Sequence, residues 1–279
     1  MEIKIQENAA KFFKLQERLD DKAARQIAEN NKVSAFGVMD KLKIWKRPTL
    51  ENVTVLDGIK RYEPFWEIEA SRVIDYKNIA SYSVDIGNHD AHKVEINGAF
   101  HEKKDKKIHL NVVEHCRHER KHYDLLYGVD RDVSKKEIKE YLDKHSTEAV
   151  EFTAEEVLKD PLLIQPEKKP ATIIHLAEKE LAHSVNASEF LSDQVTIESI
   201  ILYYHPVYAF ECLWSGKSSV LEVDGLTGKP IGGGKMKKEM LQMVKDPDFI
   251  LDLTGDAIDI IVPGGRLPIT IMRRLMRDR

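Results

Sequence analysis

The spacing of apolar residues predicts a helical start to the chain. Over residues 8–30, apolar side chains recur every three or four positions and charged residues fill the gaps between them. The apolar positions of this stretch are Phe12, Leu15, Leu19, Ala23 and Ile27. A second helix is predicted over residues 34–45 and ends before Arg47-Pro48. Residues 1–47 are therefore predicted to form a helical hairpin.

Two segments of the chain resemble each other. Residues 62–69 (YEPFWEIE) and 204–211 (YHPVYAFE) share a Tyr-x-Pro start and a matched order of apolar and acidic positions. The matched pairs are Tyr62 and Tyr204, Pro64 and Pro206, Trp66 and Tyr208, Ile68 and Phe210, and Glu69 and Glu211. Each copy runs on to a hairpin signal, Asn97-Gly98 in the first and Asp224-Gly225 in the second. We interpret the two copies as an internal duplication of a β-hairpin module, and a fainter echo predicts strand and hairpin over 108–128.

The segment between the two copies predicts helices followed by a linker. Ser134 with Glu137 and Thr153 with Glu156 have the spacing of capping boxes, so a helix is expected to start at each pair. Three prolines in DPLLIQPEKKP (160–170) indicate the linker. The predicted organisation is a helical hairpin (1–47), a first β module (48–132), a helical connector with a Pro-rich linker (133–170), a second α-β-β module (171–234) and a C-terminal helical segment (235–279).

Residues 172–230 combine a helix, a long strand and a short strand that ends in Val223-Asp224-Gly225-Leu226-Thr227-Gly228. In this order and ending the segment resembles PepSY-type modules, which are small α-β-β units. The resemblance implies an α-β-β layout for this part of the chain, and such modules are tied to peptidase regulation or ligand binding. The predicted fold class is α+β: duplicated antiparallel β-hairpin modules with packed helices, flanked by N- and C-terminal helices.

Composition narrows the functional classes. The net charge of -4 argues against a dominant nucleic-acid-binding face. No apolar stretch approaches the roughly 18 residues of a membrane-spanning helix, and the N-terminus lacks the apolar run of a signal peptide. The only cysteines, Cys116 and Cys212, are too few for a disulfide framework. We therefore expect a cytoplasmic protein with no membrane contact.

The pattern His118-Glu119-Arg120-Lys121-His122 is an H-E-x-x-H motif. On a helix, His118 and His122 would bind zinc from one face and Glu119 would act as general base. On a strand, the two imidazoles would lie about 13 Å apart and could not chelate one ion. A zinc-dependent hydrolase is therefore the alternative function, and it depends on residues 115–127 being helical.

The repeat also supplies candidate binding residues, whose side chains could form a ligand groove or simply the core. These candidates are Tyr62, Trp66, Glu69, Tyr204, Tyr208 and Glu211. Since no complete nucleotide fingerprint or nucleophile constellation is present, the leading hypothesis is a non-enzymatic binding or regulatory protein that needs no cofactor. An unidentified protein or a second copy of the chain would be its partner.

Overall fold

A computed structural model describes residues 1–37, 40, 47–129, 131 and 133–234. Within these residues, eight strands form one large mixed sheet, and β4 and β5 form a separate hairpin. The strands are β1 (Glu2–Ile5), β2 (Ala10–Lys14), β3 (Thr54–Asp85), β4 (Lys93–Ile96), β5 (Ala99–Glu102), β6 (Lys107–Tyr127), β7 (Val150–Glu151), β8 (Glu189–Trp214), β9 (Lys217–Asp224) and β10 (Pro230–Gly234). The helices are α1 (Asp21–Asn31), α2 (Lys135–His145), α3 (Ala154–Lys159) and α4 (Pro170–Leu181), with short 3-10 helices at Lys32–Ala35 and Ser146–Glu148.

The long strands β3 and β8 lie side by side, antiparallel, at the centre of the sheet. The edge of β3 that faces away from β8 pairs with β6. The edge of β8 that faces away from β3 pairs, along its length, with β1, β2 and β9. Helices α1 and α4 pack on the back face, which contains Trp66 and Ile68, while α2 packs on the front face, which contains Phe65 and Tyr203. The sheet is thus the middle of three layers, with apolar clusters on both faces.

The two Tyr-x-Pro copies pair with each other. Tyr62 lies opposite Pro206, Glu63 opposite His205 and Pro64 opposite Tyr204, so a local two-fold axis passes between Glu63 and His205. The relation extends to the turns, because Gly128 N donates to Pro64 O at 2.8 Å and Gly225 N donates to Pro206 O at 2.9 Å. The first copy is therefore matched to the turn at Gly128, not to the turn at Asn97-Gly98.

Several local predictions are confirmed. Ser134 and Thr153 form complete capping boxes with Glu137 and Glu156. Asn97 and Gly98 both have positive φ in the turn between β4 and β5. The echo that predicted strand over 108–128 corresponds to β6. These features depend on neighbouring residues alone, which is why sequence reveals them.

The predicted α+β fold with separate hairpin modules is wrong, because both copies belong to one mixed sheet. The helical hairpin over 1–47 is also wrong at its start, since residues 10–14 form β2 and α1 begins only at Asp21. Phe12 packs in the back-face cluster and its neighbour Phe13 packs against the front-face cluster. A strand buried on both faces needs apolar residues at consecutive positions, and that pattern also fits a helix. Residues 38–39 and 41–46 of the second predicted helix, and the predicted C-terminal helical segment 235–279, lie outside the described residues.

The paired glycines give a test of the two-fold relation. A Cβ at Gly128 would lie 2.7 Å from Pro64 O, and one at Gly225 would lie 2.8 Å from Pro206 Cβ. We expect Gly128→Ala and Gly225→Ala each to lower the free energy of unfolding by about 1–3 kcal/mol, because the backbone must shift to relieve the clash. Urea unfolding followed by tryptophan fluorescence measures this. Gly87→Ala is the control, as no atom lies within 4 Å of its added Cβ; equal effects of all three substitutions would contradict the prediction.

Candidate functional site

A network of buried polar side chains surrounds Glu63 and His205 on the front face. Both residues are the middle position of a Tyr-x-Pro copy, and they are 2% and 1% exposed. The Tyr127 hydroxyl links them: it donates to Glu63 Oε2 at 2.7 Å and is hydrogen-bonded to His205 Nε2. Because the hydroxyl proton is used on Glu63, a neutral His205 must carry its proton on Nε2 and donate it to Tyr127. The three residues form an ordered hydrogen-bond chain.

Two arginines hold the acidic side chains of the network. Arg61 donates to Glu63 Oε1 from Nε at 2.9 Å and from Nη2 at 2.6 Å, and it also contacts Glu222. Arg131 donates from Nη2 to Glu63 Oε1 at 3.1 Å and contacts Glu222 as well. Glu63 and Glu222 are thus bridged twice, so each of these buried carboxylates has two cationic partners.

Asp224, at the end of β9, is the third buried acid. Its Oδ1 accepts from the backbone N–H groups of Leu226 at 2.8 Å and Thr227 at 2.9 Å, and its Oδ2 accepts from the Tyr141 hydroxyl of α2. The turn Asp224-Gly225-Leu226-Thr227 therefore connects the sheet to the helix that covers it.

Burial and charge act against each other in the pKa values of Glu63 and His205, and act together in that of Tyr127. Burial alone would raise the pKa of Glu63, but Arg61 and Arg131 outweigh it and lower that pKa. Burial lowers the pKa of His205, and Asp224 and Glu63 oppose this only in part. Burial, reinforced by Glu63, raises the pKa of Tyr127 well above its ordinary value. At neutral pH, Glu63 is therefore ionised while His205 and Tyr127 are neutral.

The network has one incomplete hydrogen bond. His205 Nδ1 is buried and has no hydrogen-bond partner among the described residues, although the ring stacks on Tyr141 with centroids 5.1 Å apart. A buried histidine in such a place can take up a proton only when the surroundings change. The arrangement is a buried structural centre in which two arginines face three carboxylates and His205 Nδ1 is left without a partner among the described residues.

The residues of the H-E-x-x-H motif lie on β6, which is a strand throughout. His118 and His122 point to one face, about 13 Å apart along the strand, and Glu119 points to the other. The His118 ring stacks on His183, with centroids 4.8 Å apart. The helical geometry that the zinc alternative requires is therefore not formed. Across the described residues, no group of three or more His, Cys, Asp and Glu side chains converges as a metal site would.

The candidate binding residues of the repeat do not come together as one site. The four aromatic candidates are buried on the back face and are Tyr62, Trp66, Tyr204 and Tyr208. Glu69 pairs with Ser199 while Glu211 lies twelve residues further along β8, so the two carboxylates are about 40 Å apart. The aromatic side chains form core, and the glutamates cannot act as a pair.

A second feature is an arm formed by the far ends of β3 and β6. Strand β8 accompanies β3 only as far as Lys77, whereas β3 and β6 remain paired through Asp85 and Lys107. The last eight pairs of facing residues on β3 and β6 thus form a two-stranded ribbon about 25 Å long. No further strand pairs with this ribbon in the described part of the chain. Ile79 and Val113 face each other across the front of this arm and are 72% and 57% exposed.

Sequence reasoning missed both features. Arg61, Glu63 and Glu222 look like surface charges when read singly, and only the pairing of distant strands brings them together. A usable signal was present: Glu63 and His205 interrupt aromatic segments at the same position of both copies. The arm is not evident from sequence, because apolar and polar residues alternate along its strands as they do in ordinary strands with one buried face.

No family model, curated protein or solved structure matches this chain at a significant level. None of the helices in the described ranges is long and apolar enough to cross a membrane.

The state of His205 predicts how stability depends on pH. The folded-state pKa of His205 lies below its ordinary value of 6.5, so below pH 6.5 the unfolded chain takes up a proton that the folded chain does not. Its contribution to stability is complete above pH 6.5 and decreases as the pH falls. We expect His205→Gln to flatten the loss of unfolding free energy between about pH 7.5 and 5, where one proton contributes at most about 1.4 kcal/mol per pH unit.

Urea unfolding at a series of pH values measures this slope. His175→Gln is the matched control, since the His175 side chain is 55% exposed and lies outside the network. Equal slopes for wild type and His205→Gln would show that His205 does not titrate as described. The pKa of Glu63 is lowered as well, so its contribution is lost only at more acidic pH in both proteins.

Proposed function

We propose that this protein is a non-enzymatic binding protein that self-associates through the front face of the β3–β6 arm. The observation that supports this is the exposed Ile79–Val113 pair on a ribbon that no other strand in the described part accompanies. Two-stranded ribbons are marginally stable alone and gain stability when an apolar face is covered. Packing two arms face to face covers that pair in both copies.

The charges along the arm favour a second copy as the partner. Consider two arms packed front to front and related by a two-fold axis that passes through the facing pair Ile79 and Val113. Each residue then meets, in the other copy, the residue of the same strand that lies equally far from this pair in the opposite direction. Lys107, six positions outward on β6, then meets Glu119, six positions inward. By the same rule Lys77 meets Ser81, and His115 meets Asn111. No acid meets an acid and no Lys or Arg meets another, so the face is complementary to itself.

The overlap predicts a weak dimer. Rows from Val73–Glu119 to Asp85–Lys107 extend over about 40 Å, and two strands are about 10 Å wide. The contact would cover roughly 400 Å² of each copy, about half of a standard interface. A dimer of this size forms in a concentration-dependent manner.

The first test is the effect of a charge at the centre of the contact. Wild-type protein should show a concentration-dependent increase in average mass by sedimentation equilibrium over about 1–300 μM, and Ile79→Lys should remain monomeric because it would bury a charge in the contact. Leu50→Lys is the matched control, since Leu50 is 55% exposed and lies outside the arm. A wild-type chain that stays monomeric throughout would refute self-association.

The second test is a charge exchange at the ends of the contact. Lys107→Glu and Glu119→Lys should each weaken the dimer several-fold, and the double variant should recover most of the affinity because the two charges face each other in opposite copies. Lys121→Glu, on the same face but beyond the overlap, is expected to leave the affinity unchanged. Failure of the double variant to recover would exclude this arrangement of the arms.

A further inference from the structure

A cavity of about 550 Å³ lies at the end of β6, beside the buried network. Leu125, Val129 and Val133 contribute apolar side chains to its lining, and Arg131 and Lys168 contribute cationic ones. The volume falls within the range of small-molecule sites, which combine an apolar wall with a few polar groups. The cavity is separate from the arm and from every residue that the self-association model uses.

The turn at Gly128 shapes this cavity. The chain passes so close to Pro64 that a Cβ on Gly128 would lie 2.7 Å from Pro64 O. Gly128 O accepts from the backbone N–H of Glu167 at 2.8 Å, which brings the 167–168 segment alongside the end of β6. Lys168 Nζ then lies 3.4 Å from Tyr127 O, at the wall of the cavity.

Arg131 and Lys168, the two cations named above, both have N–H groups that could donate to a ligand. Arg131 uses Nη2 for Glu63 and Glu222, and no described residue accepts from its Nη1 or Nε. Lys168 forms no ion pair with any described carboxylate. Lys135, the third cation of the lining, is already paired with Asp124 at 2.5 Å. Among the described lining residues, the one acid is Glu167, and it is exposed to solvent.

We propose that the cavity binds a small organic carboxylate with an apolar body. Its carboxylate accepts hydrogen bonds from Arg131 and Lys168, and its apolar body lies against Leu125, Val129 and Val133. Since Arg131 also holds Glu63 and Glu222, the bound carboxylate would share a guanidinium with the buried network.

The test compares an acid with its neutral amide. In ligand-observed NMR titrations, 3-phenylpropanoate should bind the wild-type protein, and 3-phenylpropanamide should bind at least about five-fold more weakly because it lacks the charge. Lys168→Gln should weaken binding of the acid by about five-fold and leave binding of the amide unchanged, as expected for one partly exposed ion pair. Lys136→Gln, an exposed lysine outside the lining, should behave as wild type.

Three results would overturn the proposal: no binding of the acid at millimolar concentration, equal binding of acid and amide, or binding of the acid that Lys168→Gln does not change. Thermal unfolding of each variant is measured in parallel. Because Lys168 is exposed, its replacement should leave the unfolding temperature unchanged, which separates loss of the site from loss of the fold.

Discussion

The rest of the structure depends on the antiparallel pairing of β3 with β8 through their Tyr-x-Pro segments. This pairing places Glu63 and His205 opposite each other on the front face, under α2, where little water reaches them. An ionised carboxylate in such a place must be compensated, so Arg61 and Arg131 follow from the burial of Glu63 and Glu222. Tyr127 and Tyr141 complete the centre by donating hydroxyl protons to Glu63 and Asp224.

The same pairing determines the arm. Strands β3 and β6 keep one uninterrupted register over all their pairs, whereas the irregularities of register lie between β3 and β8. The ladder that ends at the arm begins at Phe65 and Tyr127, beside the buried network. The direction of the arm is therefore determined by the core, because a twisted ladder without bulges has no hinge.

Sequence predicts the parts of this protein whose physics is local. The caps at Ser134 and Thr153 and the turn at Asn97-Gly98 follow from neighbouring residues, and all three are as predicted. The start of the chain is different, since Phe12 is buried on one face of the sheet, the adjacent Phe13 is partly buried on the other, and this spacing also suits a helix. The network needs contacts such as Arg61 with Glu222, which are 161 positions apart. No local pattern encodes that distance, although the polar residues inside both aromatic segments indicate it.

The network also resolves an ambiguity that the apolar pattern leaves. Both faces of β3 carry buried apolar side chains: Tyr62, Trp66 and Ile68 on one face and Phe65 on the other. The apolar pattern alone would therefore allow β3 to turn either face toward the front of the sheet. A slip of one residue would exchange the two faces and move Glu63 into the apolar back face beside Tyr204. Arg61 lies on β3 and would move with Glu63, whereas Arg131 and Tyr127 lie on other segments and stay on the front face. A buried ion-pair network adds little net stability, but breaking it is costly, and here that cost selects one register of β3 on β8.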